Sequence, residues 1–221
     1  MRYGEGAEVL HDLHLRLASG SFHFLMGPSD AGKTSLLCLL SLAQPASRGR
    51  VVLFGRDTAQ LDRAETGALQ RRIGVVYQDF RLLDHLSAFE NVALPLRLAG
   101  ADDEQISRHV GELLGWLGLG DLLEKKPPEL SMGQRQLVAV GRAVIGRPSL
   151  LLADEPTSSV DSAHARRLMH LLLSLHRIGT TVVVATHNER LVRQHGFPVL
   201  EMARGRLRTQ VSAAAPLAVG A

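Results

Sequence analysis

The sequence predicts an α/β fold in which a mostly parallel sheet is flanked by helices. Three observations predict it. Runs that are short and apolar throughout, Leu150 to Ala153 and Thr181 to Ala185, have the character of strands buried on both faces. Stretches between such runs carry helical spacing: Leu168, Leu171, Leu172 and Leu175 fall at i, i+3, i+4 and i+7 on one face. The two patterns alternate along the chain, as they do where crossover helices join parallel strands.

Taken in order, Phe22 to Met26 reads as a strand that ends in a glycine-rich turn, and the apolar run from Leu36 lies in the helix that follows. Arg50 to Gly55 and Ile73 to Tyr77 read as two further strands. From about Asp84 to Gly141 the pattern changes. Ile106, Val110, Leu113, Leu114 and Leu117 keep a helical period, Asp102 or Asp103 is placed to cap it, and no clear strand interrupts. The stretch 84–141 reads as a helical subdomain inserted in the α/β core, with Lys125-Lys126-Pro127-Pro128 as an internal linker. Residues 212–221 are Ala-rich and uncharged and read as a disordered tail. Residues 1–221 are then one domain with an insertion, as the length suggests.

Composition narrows the function. With 45% apolar and 21% charged residues the chain is an ordinary globular one. Aromatic residues make up only 4%, which argues against base-stacking platforms, and the formal charge of +3 is carried by scattered arginines. No nucleic acid is expected as a partner. The single cysteine excludes an internal disulfide and any CxxC zinc pair, and Cys38, inside an apolar run, is expected in the core. No apolar stretch approaches the ~20 residues of a membrane-spanning helix, and the start has no signal-peptide pattern. The expectation is a cytoplasmic protein that reaches a membrane only through a partner. The ten histidines include no HExxH or similar metal-binding spacing.

The strongest motif is Gly27-Pro28-Ser29-Asp30-Ala31-Gly32-Lys33-Thr34, which fits GxxxxGK[ST] between a strand and a helix. Glycines let backbone N–H groups wrap phosphate oxygens, and the helix N-terminus adds its positive end. Lys33 would neutralise the β- and γ-phosphates, and the Thr34 hydroxyl would ligate Mg²⁺. A second element, Leu150 to Pro156, is an apolar strand ending in two acids. Asp154 there is suited to hold Mg²⁺ through water, and Glu155 to polarise the attacking water.

With Leu130-Ser131-Met132-Gly133-Gln134 the sequence comes to resemble a family, the ATP-binding-cassette (ABC) ATPases, whose signature is LSGGQ. Other elements of that family match in order. Gln78 stands at the Q-loop, Ser158-Ser159-Val160-Asp161 at the D-loop, His187 at the switch histidine, and Tyr3 where an aromatic stacks on adenine. The fold that the resemblance implies is a P-loop NTPase ABC ATPase core. It also implies an ATP-binding set running from Gly27 through Pro28, Ser29, Asp30, Ala31, Gly32, Lys33 and Thr34 to Ser35. Glu155, His187 and Gln78 would be catalytic, with Gln78 joining Thr34 and Asp154 around Mg²⁺. Ser131, Met132, Gly133, Gln134 and Asp161 would reach the ATP held by the other chain of a homodimer.

The stretches Phe54 to Asp57, Arg71 to Gly100 and Leu150 to Asp161 resemble the cell-division branch of the family. This implies an integral membrane partner of the FtsX type, received by residues 78–91 at the cytoplasmic face of the inner membrane. It also implies that ATP-driven closure activates periplasmic cell-wall hydrolases. The alternatives are a nucleotide-binding regulatory module with little or no hydrolysis, and the ATPase of a lipoprotein- or macrolide-type transporter.

The sequence departs from the family pattern in four places. Asp30 stands where the loop usually has Gly, Met132 replaces the first Gly of the signature, and Leu137 replaces a common Arg of the signature helix. The family also has a strand before the adenine-stacking aromatic, whereas here that aromatic is residue 3.

Overall fold

A computed structural model of the chain describes residues 9–211. The expectations placed on Tyr3, on a strand before it and on residues 212–221 lie outside the described residues.

Six strands form the main sheet: β1 (Phe22–Met26), β4 (Ile73–Val76), β5 (Leu150–Asp154), β6 (Thr181–Ala185), β7 (Val199–Ala203) and β8 (Arg206–Val211), in the order β4-β5-β6-β1-β7-β8. The first five are mutually parallel, and β8 closes one edge antiparallel to β7. Register places Phe24 beside Val184 on one side and Val199 on the other, and Leu151 beside Val182. The period-2 alternation of strands then sorts side chains onto two faces. Phe22, Phe24, Leu151, Ala153, Val182 and Val184 face one core, and Leu25, Leu150, Leu152, Val183 and Ala185 face the other. Both faces are covered, which is why β5 and β6 are apolar without alternation.

Helix α1 (Lys33–Leu40) covers the second face with Leu36, Leu37 and Leu40. The first face is covered by α5 (Met132–Val144) and α6 (Ser162–Arg177), joined by α3 (Ala88–Leu98) and α4 (Asp103–Trp116). Two shorter helices, α2 (Arg63–Gln70) and α7 (Glu189–His195), complete the set of regular helices among the described residues. Caps fix where the helices begin. Ser87 and Glu90 close a capping box on α3, Asp102 accepts from Gln105 N on α4, and Ser131 with Gln134 closes a box on α5. Leucines of α6 at 168, 172 and 175 are buried, as their spacing predicts.

Several expectations are corrected. The strand expected at 50–55 is a hairpin, β2 (Val52–Leu53) and β3 (Arg56–Asp57), turning through Phe54 and Gly55 with φ of 52° and 79°. Two positive φ angles define the turn whose twist suits a two-residue hairpin. Cys38 is half-buried rather than in the core, and burial pushes its thiol above the usual range. The linker expected at 125–128 is packed against α3, with Ala88 N donating to Lys125 O and Pro127 buried.

Helix α5 lies close on β4, and Gly74 makes this approach possible. A Cβ at Gly74 would stand 2.2 Å from Ala143 O and 3.0 Å from the side chains of Leu151 and Pro148. Gly74→Ala is therefore expected to destabilise by about 3 kcal/mol, the upper end of overpacking costs. Gly111→Ala in α4, where a Cβ meets nothing within 4 Å, should instead stabilise by ~0.5–1 kcal/mol. Urea unfolding of the two variants beside the wild type checks both signs.

Candidate active site

The parallel strands deliver three loops to one end of the sheet: residues 27–32 after β1, 155 onward after β5, and 186–188 after β6. Ligands in open α/β sheets bind at this carboxyl end. A cavity of about 1130 Å³ lies at the opposite end, against Leu150 and Thr181, and holds none of the motif residues of these loops.

The first loop is shaped by backbone demands. At Gly27 φ is 154°, and a Cβ there would stand 2.3 Å from Met202 O, so no side chain is tolerated. Asp30 has a φ of 62°, a left-handed conformation that Asp adopts more readily than most residues, and it is exposed. Pro28 and Ser29 are exposed as well, while Ala31 is buried, its carbonyl accepting from Gly205 N. Gly32 is the N-cap of α1 and supplies no side-chain bond, and the first turn holds no acid. A helix end of this kind offers its positive dipole to an anion.

Lys33 extends back along the loop, its Nζ donating to Gly27 O at 2.8 Å and Pro28 O at 2.9 Å. Next to it Thr34 is exposed and Ser35 buried. The Thr34 hydroxyl donates to Asp154 Oδ2 at 2.7 Å, which joins the first loop to the end of β5. Asp154 is buried, and its carboxyl is pushed above the ordinary range, chiefly by burial. The Thr34 bond opposes the shift, the charge of Glu155 adds to it, Lys33 opposes it and Asp79 adds to it. The pocket thus concentrates negative charge beside a hydroxyl.

Glu155 is gripped from several sides. Its φ is 47°, and its amide donates to Ala185 O at 2.9 Å. Its carboxylate receives His187 N at 2.9 Å and His187 Nδ1 at 2.6 Å on Oε1, and the Thr186 hydroxyl at 3.2 Å on Oε2. Against an ionised carboxylate, Nδ1 carries the hydrogen. The His187 side chain is otherwise 74% exposed.

The structure therefore brings together the phosphate-type loop, Lys33, Thr34, Asp154, Glu155 and His187. Gln78 follows β4 by two residues and is exposed. The remaining residues sit on helix starts. Ser131 and Gln134 exchange bonds across the first turn of α5, and Met132 beside them is 62% exposed. Gly133 packs close to the 158–161 loop, since a Cβ there would lie 3.1 Å from Ser159 O. Asp161 caps α6 by accepting from Ala163 N and His164 N, and its other oxygen lies 2.6 Å from His164 Nδ1. These bonds to the His164 backbone and ring hold the Asp161 carboxyl below its usual range. The stability it contributes is therefore fully present above the ordinary Asp range and is lost as pH falls through its lowered pKa. Thermal melts from pH 6 to pH 3 should show Asp161→Asn closing on the wild type only at the acid end.

Two positions escaped the motif reading. Thr186, fully buried, holds the Glu155 carboxylate. Arg142 of α5 donates to Arg81 O at 2.7 Å and Phe80 O at 2.8 Å, pinning two successive positive-φ residues just after Gln78.

The comparisons with known proteins accord with this geometry. The family model described as ABC transporter matches residues 10–158. The cell division ATP-binding protein FtsE of Escherichia coli K12 is 36% identical over 205 residues, covering 93% of this chain and 92% of its own length. FtsE of Mycobacterium tuberculosis is 39% identical, covering 90% and 86%. The methionine import ATP-binding protein MetN of Bradyrhizobium diazoefficiens is 37% identical, covering 91% of this chain but 59% of its own length. Among solved structures, the dimeric post-hydrolysis state of the ATP-binding cassette MJ0796, bound to ADP and Pi, superposes with a TM-score of 0.88. It is 32% identical and covers 95% of this chain and 94% of that one.

Proposed function

This chain belongs to the ABC transporter family, in its ATPase subunit, and from that premise we propose that it binds and hydrolyses ATP in an FtsEX-like complex of cell division. The observation that carries the hydrolytic reading is the joined pair of acids. Asp154 is tied to Thr34 of the phosphate loop at 2.7 Å, and Glu155 is held beside it by His187 at 2.6 Å.

The amides of the loop and the N-terminus of α1 receive the phosphates. Lys33 leaves the carbonyls of Gly27 and Pro28 for the phosphate oxygens, exchanging neutral acceptors for charged ones. Thr34 and Asp154 suit Mg²⁺, with Gln78 adding an amide oxygen. They are hard oxygen donors, and the buried negative charge of the pocket favours a cation. When bound, Mg²⁺ would neutralise charge on the phosphates. Among the described residues no group of three or more His, Cys, Asp or Glu could hold a metal, and a bound Mg²⁺ would need phosphate and water oxygens beside Thr34 and Asp154. Glu155 orients the attacking water, and His187 turns its ring from Glu155 to the γ-phosphate. Ser131, Gly133 and Asp161 of a second copy close the site, as the dimeric state of the MJ0796 cassette supports.

The similarity to FtsE supports an integral membrane partner of the FtsX type and a role in relaying closure to cell-wall hydrolases. The chain would then sit at the cytoplasmic face of the inner membrane. Among the described residues no helix is long and apolar enough to cross a membrane, and in this reading the partner supplies the attachment. Co-purification from detergent-solubilised membranes tests this. An FtsX-type protein retained with ATP and released with ADP supports the reading, and a substrate-specific import or export permease in its place contradicts it. MetN similarity favours that transporter reading.

Met132 and Asp30 support a second reading, a nucleotide-binding regulatory module with little or no hydrolysis. An exposed Met side chain at the first position of α5 crowds the surface offered to the second chain, and Asp30 sets a carboxylate at the phosphate loop. Removing one nearby negative charge is worth ~1 kcal/mol or more at solvent-exposed distances, so Asp30→Gly should tighten ATP binding about fivefold. Titration with a fluorescent ATP analogue checks it. An unchanged affinity would mean that the exposed carboxylate stays clear of the phosphates.

A further inference from the structure

We propose that Thr186 is a positioning residue for turnover: its hydroxyl pins one oxygen of Glu155 so that the other is presented to the attacking water. The inference rests on the hydrolytic role given to Glu155 above. Thr186 directly follows β6 and is 0% exposed. Its amide donates to Leu25 O at 3.0 Å, which ties it to β1, the strand that leads into the phosphate loop.

The direction of its hydroxyl proton follows from its neighbours. Asn188 N donates to Thr186 Oγ1 at 3.1 Å. An amide N–H can only donate, so the hydroxyl accepts there and keeps its own hydrogen for Glu155 Oε2, 3.2 Å away. The two carboxylate oxygens are therefore held differently. Oε1 is held by the backbone and ring of His187, whose side chain is 74% exposed and free to turn outward. Oε2 is held by a buried hydroxyl with nowhere else to go. When the His187 ring swings to the phosphate, Oε1 loses its shortest bond while Oε2 stays anchored. A carboxylate pinned at Oε2 cannot spin about its last torsion, and Oε1, still accepting from His187 N, keeps its aim with the lone pair that the ring releases.

Thr186→Val retains the shape and β-branching of the side chain and removes the donor. A misplacement of about 1 Å can cost ~100-fold in rate, so kcat should fall by roughly 10- to 100-fold. The KM for MgATP and the affinity for ATP should stay within about twofold, because the hydrogen bonds of Thr186 run to Glu155, Asn188 and Leu25 rather than to the phosphate loop. Thr186→Ser, which restores the hydroxyl, should recover kcat to within about threefold of wild type. The experiment is steady-state phosphate release by the full chain with MgATP, with ATP binding and thermal melting recorded for each variant. If Thr186→Val does not fold, the pair Thr186→Ala and Thr186→Ser carries the same comparison.

A folded Thr186→Val with wild-type kcat would overturn the inference, and so would a Ser variant as slow as Val. A rise in KM at constant kcat would also overturn it. Glu155→Gln run alongside separates the two levels. Full turnover by Glu155→Gln, or none by the wild type, removes the role of Glu155 and this inference with it. An inactive Glu155→Gln beside a fully active Thr186→Val overturns the inference alone.

Discussion

Glu155→Gln is expected to bind ATP as tightly as the wild type and to turn it over about 10²–10⁴-fold more slowly, the range that a positioned general base contributes. The substitution conserves volume. Its amide oxygen can still accept from His187 N, which reaches the carboxylate at 2.9 Å, so the loop after β6 keeps its place. What is lost is the negative charge that draws a proton from water. Phosphate binding is unaffected because it depends on residues 27–35, which touch Asp154 rather than Glu155. Two chains charged with ATP should then remain closed on one another. The variant is expected to run as a dimer with MgATP and as a monomer without it, measured by light scattering behind a sizing column. Equal turnover in the variant and the wild type would remove Glu155 from the mechanism.

Lys33→Ala is expected to weaken ATP binding by roughly 100-fold or more. The ammonium already sits over the loop, bonded to Gly27 O and Pro28 O, and reaches phosphate oxygens by a small swing. Charge-assisted hydrogen bonds contribute ~1.5–3 kcal/mol each, and two of them on phosphate oxygens amount to about two to four decades in affinity. The cost to folding should be slight. Pro28 is exposed, so the carbonyls released by the substitution turn to water. A calorimetric titration with ATP that gives less than a threefold change would show that Lys33 stays with the loop carbonyls in the bound state.

Which parts of this molecule could be read without coordinates depended on how local the cause was. Strands β5 and β6 are buried on both faces, so their apolar runs end where the strands end, at Asp154 and Ala185. β7 and β8 carry no such run. Val199–Ala203 interposes Glu201 among apolar residues, and Arg206–Val211 is an edge strand with one neighbour and three polar residues in its first four. The strand expected at 50–55 hides the hairpin β2–β3 because the turn places Phe54, a residue type that gives no turn signal, at positive φ ahead of Gly55. Cys38 lies on α1 at a position that turns partly away from the core, which an unbroken apolar run conceals.

The site divides in the same way. Lys33, Thr34, Asp154, Glu155 and His187 belong to short motifs whose chemistry is written in their residue types, and the fold gathers them at one end of the sheet. Thr186 and Arg142 act through contacts between segments distant in the chain. Thr186 meets Glu155 across 31 residues, and Arg142 meets Phe80 across 62. A buried threonine at a strand end and an arginine in a helix are unremarkable until the partner is known. Ser131, Gln134 and Asp161 cap helices within the chain, and the contact proposed for them, with ATP held by a second copy, is one that a single chain does not display.

The measurement closest to the central claim is steady-state phosphate release from MgATP by the purified chain, with ATP binding recorded on the same samples. A wild type with saturable release, above an inactive Glu155→Gln that still binds ATP, is the predicted result. A wild type that binds ATP yet releases no more phosphate than Glu155→Gln would contradict it, and would leave a chain that binds nucleotide without hydrolysing it.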